Sequence, residues 1–432
     1  MALVRPFRAW TYARSGTDVT PLVAPPYDVI SPAQREDLLG RSPHNVVALE
    51  LPEGVLDPTV PGNRYETGAA RWRTWTTDGT LTRDETPVLY VLEQHYRLGD
   101  REIRRRAFIA EVKLHAFDEC VVLPHERTLP KALGDRYALL EATGANLSQV
   151  FGLFPDPERA TDAAFAAATS STPVMTATDD DGVVSTVWAV TDDATIATVA
   201  GILADKQIFI ADGHHRYTTA LAYRDARREA DAAIGSRPSD PDYDYVMMAL
   251  VNMDDPDLVV LPTHRVADAS ETFDAEEFYR ALATHFDVSD LPPGHPGDAL
   301  ESIDRPAFLV KTAADERPHL AVLRSDVDLS QAIALDHTQA WKELDVTVLL
   351  ELILDPLLDI HPDRPETLSR LRFVKDAHDA LAMTDEHDTV FILRSTRMDQ
   401  MRAVSLAGEV MPQKSTYFYP KLLSGLVLRG ME

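Results

Sequence analysis

Five consecutive residues, Asp212-Gly213-His214-His215-Arg216, bring a carboxylate, a glycine, two imidazoles and a guanidinium into one turn. They follow the strand-like run Lys206-Gln207-Ile208-Phe209-Ile210-Ala211 and precede a helical pattern from Tyr217 to Arg228. A strand that stops at Asp-Gly and opens a helix leaves backbone N–H groups unpaired at the positive end of the helix dipole, which suits an anion. Gly213 permits close backbone approach to a ligand, and His214, His215 and Arg216 add donors matched to phosphate oxygens. The plainer alternative has Asp212 capping the helix and both histidines solvated. The phosphate reading is preferred, because three such side chains seldom share one turn without a ligand.

A second group lies between two prolines in Leu123-Pro124-His125-Glu126-Arg127-Thr128-Leu129-Pro130-Lys131. Prolines stiffen the backbone and remove donors, so the polar side chains between them are presented on a fixed loop. Glu126 is the candidate general base, with His125, Arg127 and Thr128 as candidate substrate contacts. A surface ion-pair cluster is the equal alternative. Near the end of the sequence, Met411-Pro412-Gln413-Lys414-Ser415-Thr416-Tyr417-Phe418-Tyr419-Pro420-Lys421 offers a point charge at Lys414 and hydroxyls at Ser415 and Thr416 for a phosphate or a metal-bound phosphate. It lacks the glycines of a P-loop, and its aromatics suit a packed strand. Pro262-Thr263-His264-Arg265 shares the flavour of the 123–127 loop and either lines the same cleft or ends a strand. His337 beside Asp336 and His361 near Asp359 are isolated, without metal-ligand spacing, and no protein metal site is expected. HExxH, the nucleophile elbow and GxGxxG are all missing, which removes the main support for a zinc peptidase, an α/β-hydrolase or a Rossmann dehydrogenase.

The elements that must position these residues alternate. Ser31 and Pro32 open a helix over Ala33–Leu39, and 64–78 reads as a helix carrying Trp72 and Trp75. Segments 88–96 and 102–112 alternate around Leu98-Gly99-Asp100 as a hairpin. Helices are also expected at 136–143, 275–284 and 346–358, and strands at 245–252, 307–311, 320–323 and 389–394. The fold class is therefore α/β or α+β, a mixed sheet with surrounding helices. Four regions are expected: 1–154 with the Pro-His-Glu-Arg-Thr loop, an Ala/Thr/Asp-rich insertion at 155–200, the phosphate-binding core at 201–270, and 271–432 with the Lys-Ser-Thr segment. The chain has 432 residues, 45% of them apolar, enough for more than one core. Its single cysteine, Cys120, excludes a disulfide framework within the chain and is expected to be buried. A formal charge of −27 argues against a broad nucleic-acid-binding face. With neither an apolar leader at Met1–Pro6 nor an apolar run of about 18 residues, a soluble cytoplasmic protein is expected.

Several segments together carry a family likeness: Val4-Arg5-Pro6-Phe7-Arg8-Ala9, Ala24-Pro25-Pro26-Tyr27-Asp28-Val29-Ile30-Ser31, Asn45-Val46-Val47, Leu123–Thr128, Ala211–Tyr217 and Pro412–Lys421. They resemble a prokaryotic family long labelled a domain of unknown function. The Asp-Gly-His-His-Arg turn is also similar to the signature of the ParB/sulfiredoxin superfamily, which binds nucleotide phosphates at such a junction and includes free serine kinases. That resemblance implies a ParB/sulfiredoxin-like core around the turn, with large additional segments. It further implies a small-molecule kinase that moves phosphoryl from ATP (or ADP), with Mg²⁺, to a hydroxyl, L-serine first. Asp212, Gly213, His214, His215 and Arg216 match the motif and would cradle the phosphates. Lys414 would neutralise the transferring group, with Glu126 accepting the hydroxyl proton. Glu126, His215 and Lys414 are then expected to line one cleft, with Asp212 or Glu126 near the Mg²⁺. The rivals are a ParB-like DNA-binding switch, using Arg101, Arg104, Arg105 and Arg106 as its basic patch, and a non-catalytic phosphometabolite-binding protein.

Overall fold

Strands Leu89–Leu98 and Arg101–Lys113 pair antiparallel across Gly99-Asp100, with Leu98 opposite Arg101. Their alternation is the hairpin signal seen in the sequence. Ser31 caps helix Pro32–Arg41 in a capping box with Gln34, and Pro32 takes its first position. A computed structural model describes residues 1–12, 16–127, 130–235, 238–269, 272–291, 298–361, 364–383 and 388–431. By contact the chain divides into two units, one of residues 1–124, 128–259 and 420–432, the other of 125–127 and 260–419.

The first unit is built on a ten-stranded mixed sheet. Its order runs Thr17–Asp18, Met175–Thr178, Val184–Val190, Leu89–Leu98, Arg101–Lys113, Tyr245–Asn252, Val150–Phe154, Ile208–Asp212, Val122–Leu123, with Val4–Arg5 paired to the side of Arg101–Lys113. Two strands come from the Ala/Thr/Asp-rich stretch 155–200 and lie beside the hairpin. Tyr245–Asn252 is buried at every residue, as an apolar central strand must be when both faces are covered. It runs parallel to Val150–Phe154, which pairs antiparallel with Ile208–Asp212. Phe108, Phe154, Phe165, Ile208, Ile210 and Tyr217 share one core cluster. Tyr217 donates its hydroxyl to the His115 carbonyl at 2.9 Å and accepts the His115 N–H at 3.0 Å, which pins the first turn of the helix that follows Asp212. After the second unit, residues 420–432 return to the first, where Leu422, Leu423, Leu426, Val427 and Leu428 are buried.

The second unit holds an antiparallel six-stranded sheet, ordered Phe286–Asp290, His319–Leu323, Ala307–Thr312, Asp388–Ile392, His264–Asp268, Leu371–Val374. The apolar helix of the C-terminal half spans Asp345–Leu349, a π-turn at Leu350–Leu354 and Asp355–Leu358. Pro356 gives the local reason: it has no N–H and its ring crowds the carbonyl four residues back in an α-helix. Cys120 departs from expectation. It is exposed, in a left-handed backbone conformation (φ 55°) at the end of the turn Phe117–Glu119.

His264 gives the second unit a measurable acid sensitivity. It is buried, and its Nδ1 accepts the Leu393 N–H at 3.2 Å. Burial, reinforced by the Arg265 charge, brings its pKa from 6.5 down to about 4. Between those two values the unfolded chain binds a proton that the folded chain refuses, so this group removes stability as pH falls from 6.5 towards 4 and none above that window. By pH 4.5 the loss is expected to reach about 2–3 kcal/mol. His264→Gln keeps an acceptor for Leu393. Urea unfolding at pH 7 and pH 4.5 should show a smaller pH difference in the variant than in the wild type; equal differences would clear His264 of the effect.

Candidate functional site

Strand Ile208–Asp212 ends at Gly213, which takes φ 89°, and helix His214–Ala233 begins at the next residue with no side chain capping it. Asp212 is thus not the helix cap of the plainer reading. Its Oδ1 accepts from Arg216 Nη2 at 3.4 Å and its Oδ2 from Lys421 Nζ at 2.5 Å. Burial alone would raise this carboxyl, but the Lys421 charge, then those of Arg216 and His214, hold it far below the ordinary carboxylate range. A Cβ on Gly213 would stand 2.9 Å from Arg216 Nε and 3.0 Å from its Nη2. The positive φ calls for glycine, and a Cβ there would also push the Arg216 guanidinium aside. Arg216 Nη1 donates to the Gln149 carbonyl at 2.5 Å, while its buried Nε has no hydrogen-bond partner among the described residues. One ionised carboxylate faces two permanent cations beside uncapped helix N–H groups, so the turn carries an excess of positive charge.

Lys421 is the member of this group that sequence reasoning passed over in favour of Lys414. Its backbone is held by the sheet: Arg105, buried beneath it, donates to the Pro420 carbonyl, and Gln94 Nε2 donates to the Lys421 carbonyl at 3.2 Å. Gln149 Nε2 holds the Leu423 carbonyl at 3.0 Å. The available signal was Pro420-Lys421 at the end of the same polar segment, in a chain where lysine is scarce.

In the second unit Glu126 forms an isolated parallel bridge with Met411, whose N–H donates to the His125 carbonyl at 2.9 Å. The Lys414 N–H faces Glu126 Oε1 at 3.5 Å from a left-handed residue (φ 58°) whose side chain is exposed. His125 is buried, and its Nε2 lies 2.8 Å from Thr416 Oγ1. Ser415 spends its hydroxyl on the Pro412 carbonyl at 2.5 Å. Arg265 is sealed from water and donates to the carbonyls of Thr263 and Lys414. Burial brings its pKa down to about 9 against the opposing charge of Glu126. The loops that the sequence singled out at 125–127, 264–265 and 411–416 therefore meet within one unit. Thr128 lies outside the described residues, and Arg127 is exposed.

Residues 4–347 match the model of the family described as "Protein of unknown function (DUF1015)". The chain belongs to this family. No curated protein matches it. Among solved structures, a free serine kinase mutant in complex with ADP is similar at 13% identity and a TM-score of 0.34, over 72% of this chain and 87% of that one. A conserved hypothetical protein from Pyrococcus furiosus shares 14% identity at a TM-score of 0.33, over 73% and 92%. SbnI from Staphylococcus aureus, truncated at its C-terminus, shares 11% at 0.34, over 72% and 85%.

Of the arginine run considered for DNA, Arg101 and Arg104 are exposed and Arg105 and Arg106 are drawn into the protein. Arg105 is buried, Arg106 pairs with Glu93 at 3.0 Å and Asp162 at 3.3 Å, and Arg101 lies 3.6 Å from Asp257. Among the described residues no cluster of three or more His, Cys, Asp or Glu side chains could hold a metal, and no helix is long and apolar enough to cross a membrane. Both oxygens of Asp212 accept from cations.

Proposed function

We propose that the protein is a phosphotransferase that moves a phosphoryl group from a nucleotide, ATP or ADP, to the hydroxyl of a small metabolite, with L-serine the first candidate. The observation that carries the reading is the Gly213 turn. An uncapped helix N-terminus, a left-handed glycine against the Arg216 guanidinium, and two cations around one ionised carboxylate together make an anion site. The likeness of Asp212–Arg216 to the phosphate-binding turn of ParB/sulfiredoxin proteins supports a nucleotide as the anion. His214, His215 and Arg216 would cradle its phosphates, Lys414 would offset charge, and Glu126 would take the acceptor proton. Phosphoryl transfer asks mainly for such positioning and charge stabilisation. Magnesium, where required, would come with the phosphates.

The test incubates purified protein with ATP, ADP or pyrophosphate and a panel of hydroxyl amino acids and sugars, reading phosphorylated product by mass. Nucleotide binding without any product would reduce the protein to a binder. Within the turn, Arg216→Lys should weaken ATP binding by about 1–3 kcal/mol, because an ammonium cannot reproduce the guanidinium fork. Equal affinities by calorimetry would remove Arg216 from the nucleotide site.

A further inference from the structure

A cavity of about 50 Å³ lies inside the first unit, with Glu50, Arg136, Arg216 and Thr219 in its polar wall and Leu139 and Leu147 on its apolar side. At roughly 10–15 Å³ for one water position, it has room for about three or four waters or for the hydroxyl edge of one small ring. A whole metabolite does not fit. Arg216 serves two places at once, since its guanidinium lies against Gly213 in the turn and its side chain lines this cavity. Thr219 follows it one turn along the same helix and on the same face.

Glu50 and Thr219 are the informative residues. Each is only 3% exposed. Glu50 ends the short helix Val47–Glu50, which Asn45 fixes by donating Nδ2 to the Pro21 and Val23 carbonyls at 2.9 and 2.8 Å and accepting the Val47 N–H at 3.0 Å. The Asn45-Val46-Val47 segment thus holds a carboxylate inside the unit. Glu50 Oε2 accepts from Arg136 Nη1 at 3.2 Å, whereas its buried Oε1 has no hydrogen-bond partner among the described residues. Arg136 is fully engaged elsewhere. Its Nη1 also serves the Glu50 carbonyl at 3.1 Å, its Nε and Nη2 hold Asp135 at 2.9 and 2.5 Å, and its guanidinium sits over the Tyr27 ring at 4.1 Å. The Thr219 hydroxyl is likewise buried without a hydrogen-bond partner among the described residues. Thr74, Thr76 and Thr77 of helix Arg64–Thr77 spend their hydroxyls on carbonyls one turn back, as helical threonines commonly do. Thr219 does not, and an unmet polar group in the interior is costly.

The charges on the wall narrow the ligand. A cation here would face Arg136 and Arg216, and an anion would face Glu50. A pair of neutral hydroxyls meets both unpartnered groups, because a hydroxyl donates to a carboxylate and exchanges a hydrogen bond with another hydroxyl. We propose that the cavity takes the ribose 2′- and 3′-hydroxyls of the nucleotide whose phosphates lie on the Gly213 turn, one donating to Glu50 and the other pairing with Thr219. Ribose is the next group beyond the phosphates, and a carboxylate on a ribose hydroxyl is the pairing that dinucleotide-binding folds use. For the source of the hydroxyls the assignment rests on the nucleotide reading of the turn; for their chemistry it rests on the cavity.

The experiment titrates the full chain by calorimetry with ATP, 2′-deoxy-ATP and 3′-deoxy-ATP. The wild type should bind ATP roughly tenfold or more tightly than the analogue that lacks the Glu50-bound hydroxyl, and about threefold more tightly than the other, the scales of a charge-assisted and a neutral hydrogen bond. Glu50→Gln should bring the larger preference down to about threefold, and Thr219→Val, which breaks no ion pair, should abolish the smaller one. These ratios are read within one protein and do not depend on its folded fraction. Equal affinity of the wild type for all three nucleotides would leave the cavity to ordered water and overturn the assignment, as would ratios unchanged in both variants. ATP bound with the expected ratios but no phosphorylated product on the acceptor panel would sink the phosphotransferase reading and leave the ribose site standing. Product formed by a wild type that binds the three nucleotides equally would do the reverse, and a wild type that binds none of them would end both.

Discussion

Glu126→Gln is expected to lower phosphoryl transfer roughly 10²–10⁴-fold while ATP affinity stays near that of the wild type. The substitution keeps the side-chain volume and an oxygen to face the Lys414 N–H, so the 411–416 loop retains its local partner. What disappears is a group able to take the acceptor proton, together with the negative charge that opposes the buried Arg265. The second loss predicts a modest fall in the stability of the second unit, which thermal melting separates from the kinetic effect. A variant that melts like the wild type and turns over normally would return residues 125–127 to a surface ion-pair cluster.

Lys421→Met is expected to destabilise the protein by about 3 kcal/mol. Breaking one side of a buried ion pair strands the other charge, and the lower end of the usual range applies because the Lys421 and Asp212 side chains remain 20% and 16% exposed. Arg216, at 3.4 Å, is left as the closest cation. Adding Asp212→Asn to Lys421→Met should restore much of the loss, since the stranded charge is then gone. In the wild type the depressed Asp212 pKa contributes stability above the ordinary carboxylate range, and that contribution is lost as pH falls through the lower folded value. Without Lys421 the folded value rises towards the unfolded one, so this group should lose less stability on acidification and the gap between variant and wild type should narrow as pH falls. Urea midpoints at pH 7, 5 and 3 measure both effects; a single mutant as stable as the wild type at pH 7 would show that the Lys421–Asp212 pair contributes nothing.

Local signals read well wherever the chemistry was local. Period-two alternation marked the hairpin 89–113, Ser31-Pro32 marked a helix start, and the Asp-Gly step marked the junction at 212–214, because each depends on residues only a few positions apart. The same reasoning singled out the Asp212–Arg216 turn and the Glu126 loop as candidates. It failed where partners are distant in sequence. A sequence separation of 209 hides the pairing of Asp212 and Lys421 from any pattern, and the buried amides of Gln94 and Gln149 that seat the Lys421 segment look like ordinary surface polarity in a sequence. His337 and His361 were read as isolated, yet they line one cavity. Arg105 read as part of a basic patch with Arg101, Arg104 and Arg106 because composition cannot tell an exposed arginine from one buried over Phe151.

The return of residues 420–432 to the first unit sets an order of events during synthesis. A ribosome adding about 5–20 residues per second needs roughly 10–40 s to cover the 209 residues separating Asp212 from Lys421. Throughout that interval the nascent first unit has Asp212 without its lysine, Glu111 without Arg429, and a gap where Leu426, Val427 and Leu428 belong. The second unit, encoded between, emerges before the first can close. Nascent chains released before residue 421 should therefore be protease-sensitive in their first unit, and residues 420–432 act as a latch that couples its maturation to prior synthesis of the second unit.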